Sequence, residues 1–557
     1  MKFSATLIYI LLSLKVLAQS PIDTTYFNAP MNIPLISAGT FGELRDNHFH
    51  AGLDLKTQFR EGIPVQAAAD GYVSRIRVGV WGYGKAIYLD HPNGYTTVYA
   101  HLSKFSPELE TYIKNLQYKR KSHEVQGFPK KEEFHFKKGD IIAYSGATGG
   151  FVGPHLHFEI RDTQTEHILN PMLFGIEVRD SRPPSALALQ VKPADSTSQI
   201  NGFEKRIKLN FWEIKKDQFQ TDTVEVFGSP LFQVQGFDRQ DAANNKNGLY
   251  KISLFENDRK VYSHILNEFS FSESKLINLL IDYEYYQLTK KRFQQLYIPS
   301  NSNLSIYNRK LMDTTKKEGF SMYKIELTDF QNNSTSIFIP VTYVNLPKPL
   351  VKSLSEEYNY HIKREEFYKI EDNYAFISLQ KETFYQDLSL NLKLKKDSIF
   401  IDHDRFPLNK KMTIGFKLAK TNINQKGIAL LKDDKLNFIE TEYLNQTLVA
   451  HPRTLGTYIL AEDKVSPYLK SKNFSDKSWI SKHKTLELTV LDEQSGLKSF
   501  EATLDGNWIA LEYNPKTNTI SYNLKDIPLE KGEHKLEVII EDLVGNQTFK
   551  SYLLYKG

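Results

Sequence analysis

Gly153-Pro154-His155-Leu156-His157-Phe158-Glu159-Ile160 alternates imidazoles with large apolar side chains. Successive side chains of a β-strand point to opposite faces, so His155 and His157 share one face, roughly 6.6 Å apart, while Leu156, Phe158 and Ile160 share the other. The stretch therefore reads as a strand that sets two imidazoles in a groove above a hydrophobic core. Glu159 is read as lying on the face away from His157, as a structural or supporting group rather than a general base.

Outward from this strand, short β-branched or alternating runs recur at Tyr72 to Val78, Lys85 to Leu89, Thr96 to Tyr99 and Ile141 to Tyr144, with turns at Gly82-Tyr83-Gly84 and Pro92-Asn93-Gly94. This predicts an antiparallel β-domain. One helix interrupts it: Ser106 can cap, Pro107 suits the first turn, and Leu109, Tyr112, Ile113 and Leu116 recur at helical spacing before Lys119-Arg120-Lys121. The surrounding insertion, about 105–138, is expected to pack on the domain as a groove wall.

The full chain has 557 residues, enough for three or four folded units. Its 13% aromatic content favours β-structure. Lys+Arg 71 against Asp+Glu 66 leaves +5 with no dense basic block, which argues against nucleic acid as a partner. The absence of cysteine removes disulfides, thiolate catalysis and Cys-ligated metal, so a metal would sit on His, Asp or Glu. Residues 1–18, with Lys2, an apolar run and Ala18 before Gln19, read as a secretory signal; an uncleaved anchor is the alternative, disfavoured because the run is short of the ~20 residues a span needs.

Nine of the 15 histidines precede residue 170, so chemistry is expected there. His50-Ala51-Gly52-Leu53-Asp54 brings a His and an Asp to one side of an extended segment, and Gly52 leaves room for an ion between them. Tyr99-Ala100-His101-Leu102 ends a strand with a third kind of histidine. Two neutral imidazoles and one carboxylate leave a bound zinc cationic with an open position for water, and two more histidines can move protons and stabilise an oxyanion. A lone His-x-His pair arises easily by chance, and His48-Phe49-His50 is a second instance; the ordered set of three motifs is what carries weight.

These three motifs, with Gly62-Ile63-Pro64-Val65, His91-Pro92-Asn93-Gly94-Tyr95 and Ser145-Gly146-Ala147-Thr148-Gly149 between them, resemble the lysostaphin and LytM type of zinc endopeptidase over about Pro34 to Pro171. The resemblance implies that His50, Asp54 and His157 hold Zn2+, that His101 and His155 are the unligated catalytic pair, and that the substrate is a stem or cross-bridge peptide of bacterial peptidoglycan. His48 is the weaker candidate ligand, and Arg45 is read as an ordinary ion-pair former rather than a substrate contact. The Lys104 to Lys138 stretch is longer than the link the family pattern suggests.

After Asp180-Ser181-Arg182-Pro183-Pro184 the chain turns to Val, Ile, Leu, Tyr and Phe runs separated by polar turns. A weak repeat joins Asn247-Gly248-Leu249 and Asp329 to Asn333 with Ser495-Gly496-Leu497 and Asp542 to Asn546. A helical segment is expected from Ser274 to about Tyr297. The fold expectation is mainly β: a peptidase-type domain over 19–179, then immunoglobulin-like β-sandwiches over 180–346, 347–465 and 466–557. The functional expectation is a zinc endopeptidase of the periplasm or cell envelope of a Gram-negative bacterium, or a secreted one, with the tail contacting envelope proteins and no membrane span after signal cleavage. The alternatives are a non-catalytic scaffold that activates wall hydrolases and a metallopeptidase of exported proteins.

Overall fold

The protein is described by a computed structural model over residues 22–150, 153–308, 318–348, 358–418 and 425–557. The signal expected at 1–18 lies outside these residues. No helix among them is long and apolar enough to cross a membrane.

The N-terminal unit is built from β1 (Ser37–Gly39), β2 (Leu53–Lys56), β3 (Gly71–Val78), β4 (Ala86–Asp90), β5 (Tyr95–Ala100), α1 (Pro107–Arg120), β6 (Val125–Gly127) and β7 (His155–Asp162). The strands form an antiparallel sheet in the order β1-β2-β7-β5-β4-β3-β6. Alternation fixes what each face does: Leu156, Phe158 and Ile160 of β7 are fully buried with Leu53, Leu55, Leu89 and Tyr99 in one core, each large apolar side chain contributing about 1.5–3 kcal/mol. The register sets His157 opposite Asp54 on one side and Ala100 on the other, so the three motifs meet at the centre of the sheet.

The expected helix forms, but Ser106 makes no side-chain cap. Its hydroxyl donates to Glu108, while Glu110 takes the Phe105 N–H at 3.0 Å and closes the first turn. The groove-wall reading of the insertion is corrected. The insertion faces the last unit instead, with Lys114 Nζ 2.8 Å from Asp526 and the His123 ring stacked on Phe500 and Trp508.

A short strand β8 (Ile168–Leu169) pairs with β7 and with β9 (Glu268–Phe269) of the second unit. Phe41, Phe49 and Ile168 of the N-terminal unit sit in the same hydrophobic cluster as Leu189, Phe232 and Ile325. The two units therefore share a core and are held as one body. Two further β-rich units have cores of their own, around Ile377, Ile414 and Tyr458 and around Leu488, Tyr522 and Val538.

The helical stretch expected from Ser274 breaks into Ser274–Leu276, Ile277–Leu280 and α2 (Tyr283–Thr289). Asp282 caps a new helix start through the Tyr285 N–H, and the preceding Ile281 is extended. The chain beyond is no longer helical: Gln294–Gln295 is extended, and the Gln295 amide bonds the Leu279 and Ile281 carbonyls.

The repeat is structural down to its hydrogen bonds. Asn333 donates its N–H to Asp329 at 2.8 Å and its amide at 2.7 Å, and Asn546 does the same to Asp542 at 2.8 and 2.7 Å. Thr335 and Thr548, two residues on, donate to the Pro184 and Pro467 carbonyls. In the first copy Asp238 is buried beside Asp180 and Asp329; burial first, and repulsion by those carboxylates second, push its pKa up. A carboxyl whose folded pKa is raised destabilises the fold as pH climbs above its unfolded value of about 3.9. Asp238→Asn keeps the acceptor for the Arg239 N–H and removes the charge. The variant is expected to melt a few degrees higher than the parent at neutral pH, with the gain shrinking toward pH 4; melting curves across that range whose separation does not change with pH would refute the assignment.

Candidate active site

His50 precedes β2, Asp54 sits within it, and His157 lies on the neighbouring β7. His50 Nε2 is 3.0 Å from Asp54 Oδ1, His157 Nδ1 is 2.9 Å from the same oxygen, and the two ring nitrogens are 3.1 Å apart. The outward nitrogens are engaged elsewhere. His50 Nδ1 donates to the Thr40 carbonyl at 2.7 Å, and His157 Nε2 is bonded to Glu159 Oε1 at 2.8 Å. These outer partners turn the lone pairs of His50 Nε2 and His157 Nδ1 toward the carboxylate oxygen, an arrangement that calls for a positive charge at their meeting point.

The electrostatics agree. Burial alone would raise the Asp54 pKa, but His50, His155 and His157 hold it well below the usual carboxylate range. His157 is pushed up to about 9, because its bonds to Asp54 and Glu159 outweigh a burial that would lower it. Donors on a tetrahedral zinc with 2.0–2.1 Å bonds stand about 3.3 Å apart, close to the separations seen here, and two nitrogens with one carboxylate oxygen are a zinc-type donor set.

His101 and His155 flank this point, their ring centroids 4.6 Å apart. His101 ends β5 with a left-handed backbone, φ +59°, which turns the chain and carries the ring over the sheet. Its Nδ1 donates to the Thr148 carbonyl at 2.8 Å, leaving Nε2 as the basic nitrogen. Burial first, then the two neighbouring imidazoles, lower its pKa to about 3, so the ring is neutral. His155 Nδ1 bonds the Gly153 carbonyl, and its Nε2 lies 3.5 Å from Asp54. All five residues singled out from the sequence are thus brought together. His48 is not: it is exposed and bonds the Asp46 carbonyl.

Glu159 corrects one expectation. A strand repeats every two residues, so 159 shares the face of 157, and there it also receives the Tyr83 hydroxyl at 2.5 Å and Arg161 Nε at 2.7 Å. Tyr83 and Arg161 were not singled out from the sequence, although the period of two already aligns 157, 159 and 161. Arg45 is more than a surface ion-pair former: it reaches the second oxygen of Asp54 at 3.0 Å and Glu43 at 3.1 Å. Gly52 is needed for a different reason than expected. A Cβ there would sit 2.3 Å from the Phe158 carbonyl oxygen, so Gly52 permits the close approach of chain to β7 rather than room for an ion.

His50, Asp54, His101 and His157 open onto a groove of about 840 Å³, while His155 lies buried behind them. Its far wall comes from outside the N-terminal unit, from Phe271, Ser272, Ser274 and Lys275 and from Arg453.

The model of Peptidase family M23 matches residues 48–118, so the N-terminal unit carries a domain of that family. The Zu5-like domain model matches residues 359–463. The chain is 36% identical over 113 residues to the DD-carboxypeptidase/endopeptidase Mpg of Neisseria meningitidis, covering 20% of each protein. It is 32% identical over 111 residues to the peptidoglycan DD-endopeptidase ShyB of Vibrio cholerae, again 20% of each. The chain thus spans about a fifth of the length of these curated relatives. Among solved structures, the catalytic domain of lysostaphin from Staphylococcus simulans is 24% identical, with 26% of this chain and 93% of that one aligned at a TM-score of 0.20.

Proposed function

We propose that the protein is a zinc-dependent endopeptidase that cleaves peptide cross-links of bacterial peptidoglycan in the envelope of the cell that makes it. The observation that carries this reading is the convergence of His50 Nε2, Asp54 Oδ1 and His157 Nδ1 within 3.1 Å of one another. Relatives named for peptidoglycan DD-endopeptidase and DD-carboxypeptidase activity support the substrate class.

In this reading His50, Asp54 and His157 hold Zn2+. Bound zinc supplies a Lewis acid and a water whose pKa falls to about 7. Glu159 keeps the His157 ring turned inward, and Arg45 keeps Asp54 in place. Neutral His101 accepts a proton at Nε2 and passes it to the leaving amine, while His155 stands beside the developing oxyanion. The buried sheet face beneath excludes bulk water from these groups.

His101→Ala is expected to retain one zinc per chain and to lose about 10²–10⁴ in kcat on muropeptides, the usual contribution of a positioned acid–base group. Metal analysis beside a muropeptide digest checks this; a variant that loses zinc, or one that cleaves at the parental rate, contradicts the role. Purified sacculi left intact by the zinc-loaded protein would remove the functional reading itself.

A further inference from the structure

The chemistry of the groove is not confined to its floor. Phe271 to Lys275 follow directly on β9, which is paired to the peptidase sheet through β8, and Ser274 Oγ accepts the Phe49 N–H at 3.0 Å. The Arg161 guanidinium lies 4.7 Å from the Phe271 ring. Lys275 Nζ donates to the Asn409 carbonyl at 3.0 Å and so ties this wall to the third unit, which supplies Arg453. The wall is therefore fixed in front of the floor by three separate attachments.

Its charges are unbalanced. Of the cations lining the groove, Arg45 is neutralised by Glu43 and Asp54. Among the described residues neither Lys275 nor Arg453 forms an ion pair. The acid closest in influence, Glu382, is taken by Lys410 at 2.8 Å and Arg364 at 2.9 Å. Burial first, then repulsion from Arg453 and Lys410, disfavour the Lys275 ammonium. Two cations on one wall of the groove, near enough to repel each other and one of them partly buried, are stabilised by an anion that reaches both.

We propose that Lys275 and Arg453 form an anion subsite of the groove, which takes a carboxylate of the peptide bound across His50, Asp54 and His157. The proposal rests on the endopeptidase reading and narrows its substrate to an acidic peptide, such as a stem carrying free side-chain or C-terminal carboxylates. The second and third units are then part of substrate recognition, not only spacers. Phe271, 45% exposed, adds an apolar surface to the same wall.

The test uses the full chain with two versions of one stem tetrapeptide or its cross-linked dimer, carboxylates free or amidated. Charge-assisted hydrogen bonds contribute about 1.5–3 kcal/mol each, so the free peptide should bind at least tenfold more tightly, and K275A/R453A should erase that preference. Calorimetric binding reads this whether or not hydrolysis occurs, so failure of the subsite is distinguishable from failure of the endopeptidase reading. Where hydrolysis occurs, the variant should raise KM for the free peptide at least tenfold relative to the amidated one. Arg453→Ala alone, at an exposed position, serves should the double variant fold poorly. Equal affinity of the parent for free and amidated peptide, or an undiminished preference in the variants, overturns the proposal. So does inorganic phosphate competing with the amidated peptide as strongly as with the free one, since the anion would then bind without a substrate carboxylate.

Discussion

Asp54→Ala is expected to yield a protein that holds no stoichiometric zinc and cleaves muropeptides at least a thousandfold more slowly than the parent. Asp54 Oδ1 is the oxygen toward which both His50 and His157 are turned, at 3.0 and 2.9 Å. Its loss leaves two neutral nitrogens, too few donors for a zinc site. It also leaves the Arg45 guanidinium, now held 3.0 Å from Asp54 Oδ2, with Glu43 as its remaining acidic partner, so the site loses a negative charge beside a retained positive one. Both consequences act in the same direction. Elemental analysis of the purified variant, with a parallel digest of sacculi, checks the prediction. One zinc per chain retained, or activity within tenfold of the parent, would mean that Asp54 is not a ligand.

Glu159→Gln is expected to destabilise the N-terminal unit by several kcal/mol. Glu159 is fully buried and carries three partners at once: the His157 ring, the Tyr83 hydroxyl and the Arg161 guanidinium. Arg161 is itself 4% exposed, and its other acidic neighbour, Glu166, is 3.7 Å away on the surface. Removing one member of a buried charge pair costs about 3–5 kcal/mol because the other charge remains without compensation. The pH dependence follows in sign. Arg161, His157 and Tyr83 overcome the burial penalty and lower the Glu159 pKa to about 2, below its unfolded value of about 4.3. Its stabilisation is therefore complete above pH ~4.3 and is lost as pH falls toward 2. Parent and variant melts should be far apart at pH 7 and converge at low pH; a gap at pH 3 as wide as at pH 7 would refute the charge-pair account. Activity should fall as well, since the His157 ring then faces a neutral amide in place of the carboxylate that holds its orientation and raises its basicity.

The floor of the site was legible because its residues lie on strands, where a period of two tells which side chains share a face. His155 and His157 followed from that rule directly. The same rule applied to residue 159 places it with 157, so the reading of Glu159 on the far face was a misapplied period rather than a missing signal. The helix from Pro107 to Arg120 was likewise local, written in its spacing and its first-turn proline. By contrast, the direction in which the insertion packs depended on Lys114 and His123 finding Asp526 and Phe500, some 400 residues away in sequence, and no local pattern encodes such a pairing.

Strand periodicity, turn residues and the kinds of side chain available to bind an ion were enough to establish a mainly β chain with its chemistry near the N-terminus, because each depends on neighbours a few positions apart. What closes over that chemistry was decided only by folding. The carbonyls of Thr40 and Thr148 that fix two imidazole tautomers are backbone groups with no side-chain signature. Lys275 reaches the groove because β9 joins the N-terminal sheet and the two units share a core, and Arg453 comes from the third unit, which Lys275 ties on through the Asn409 carbonyl; both are long-range associations that no local pattern encodes.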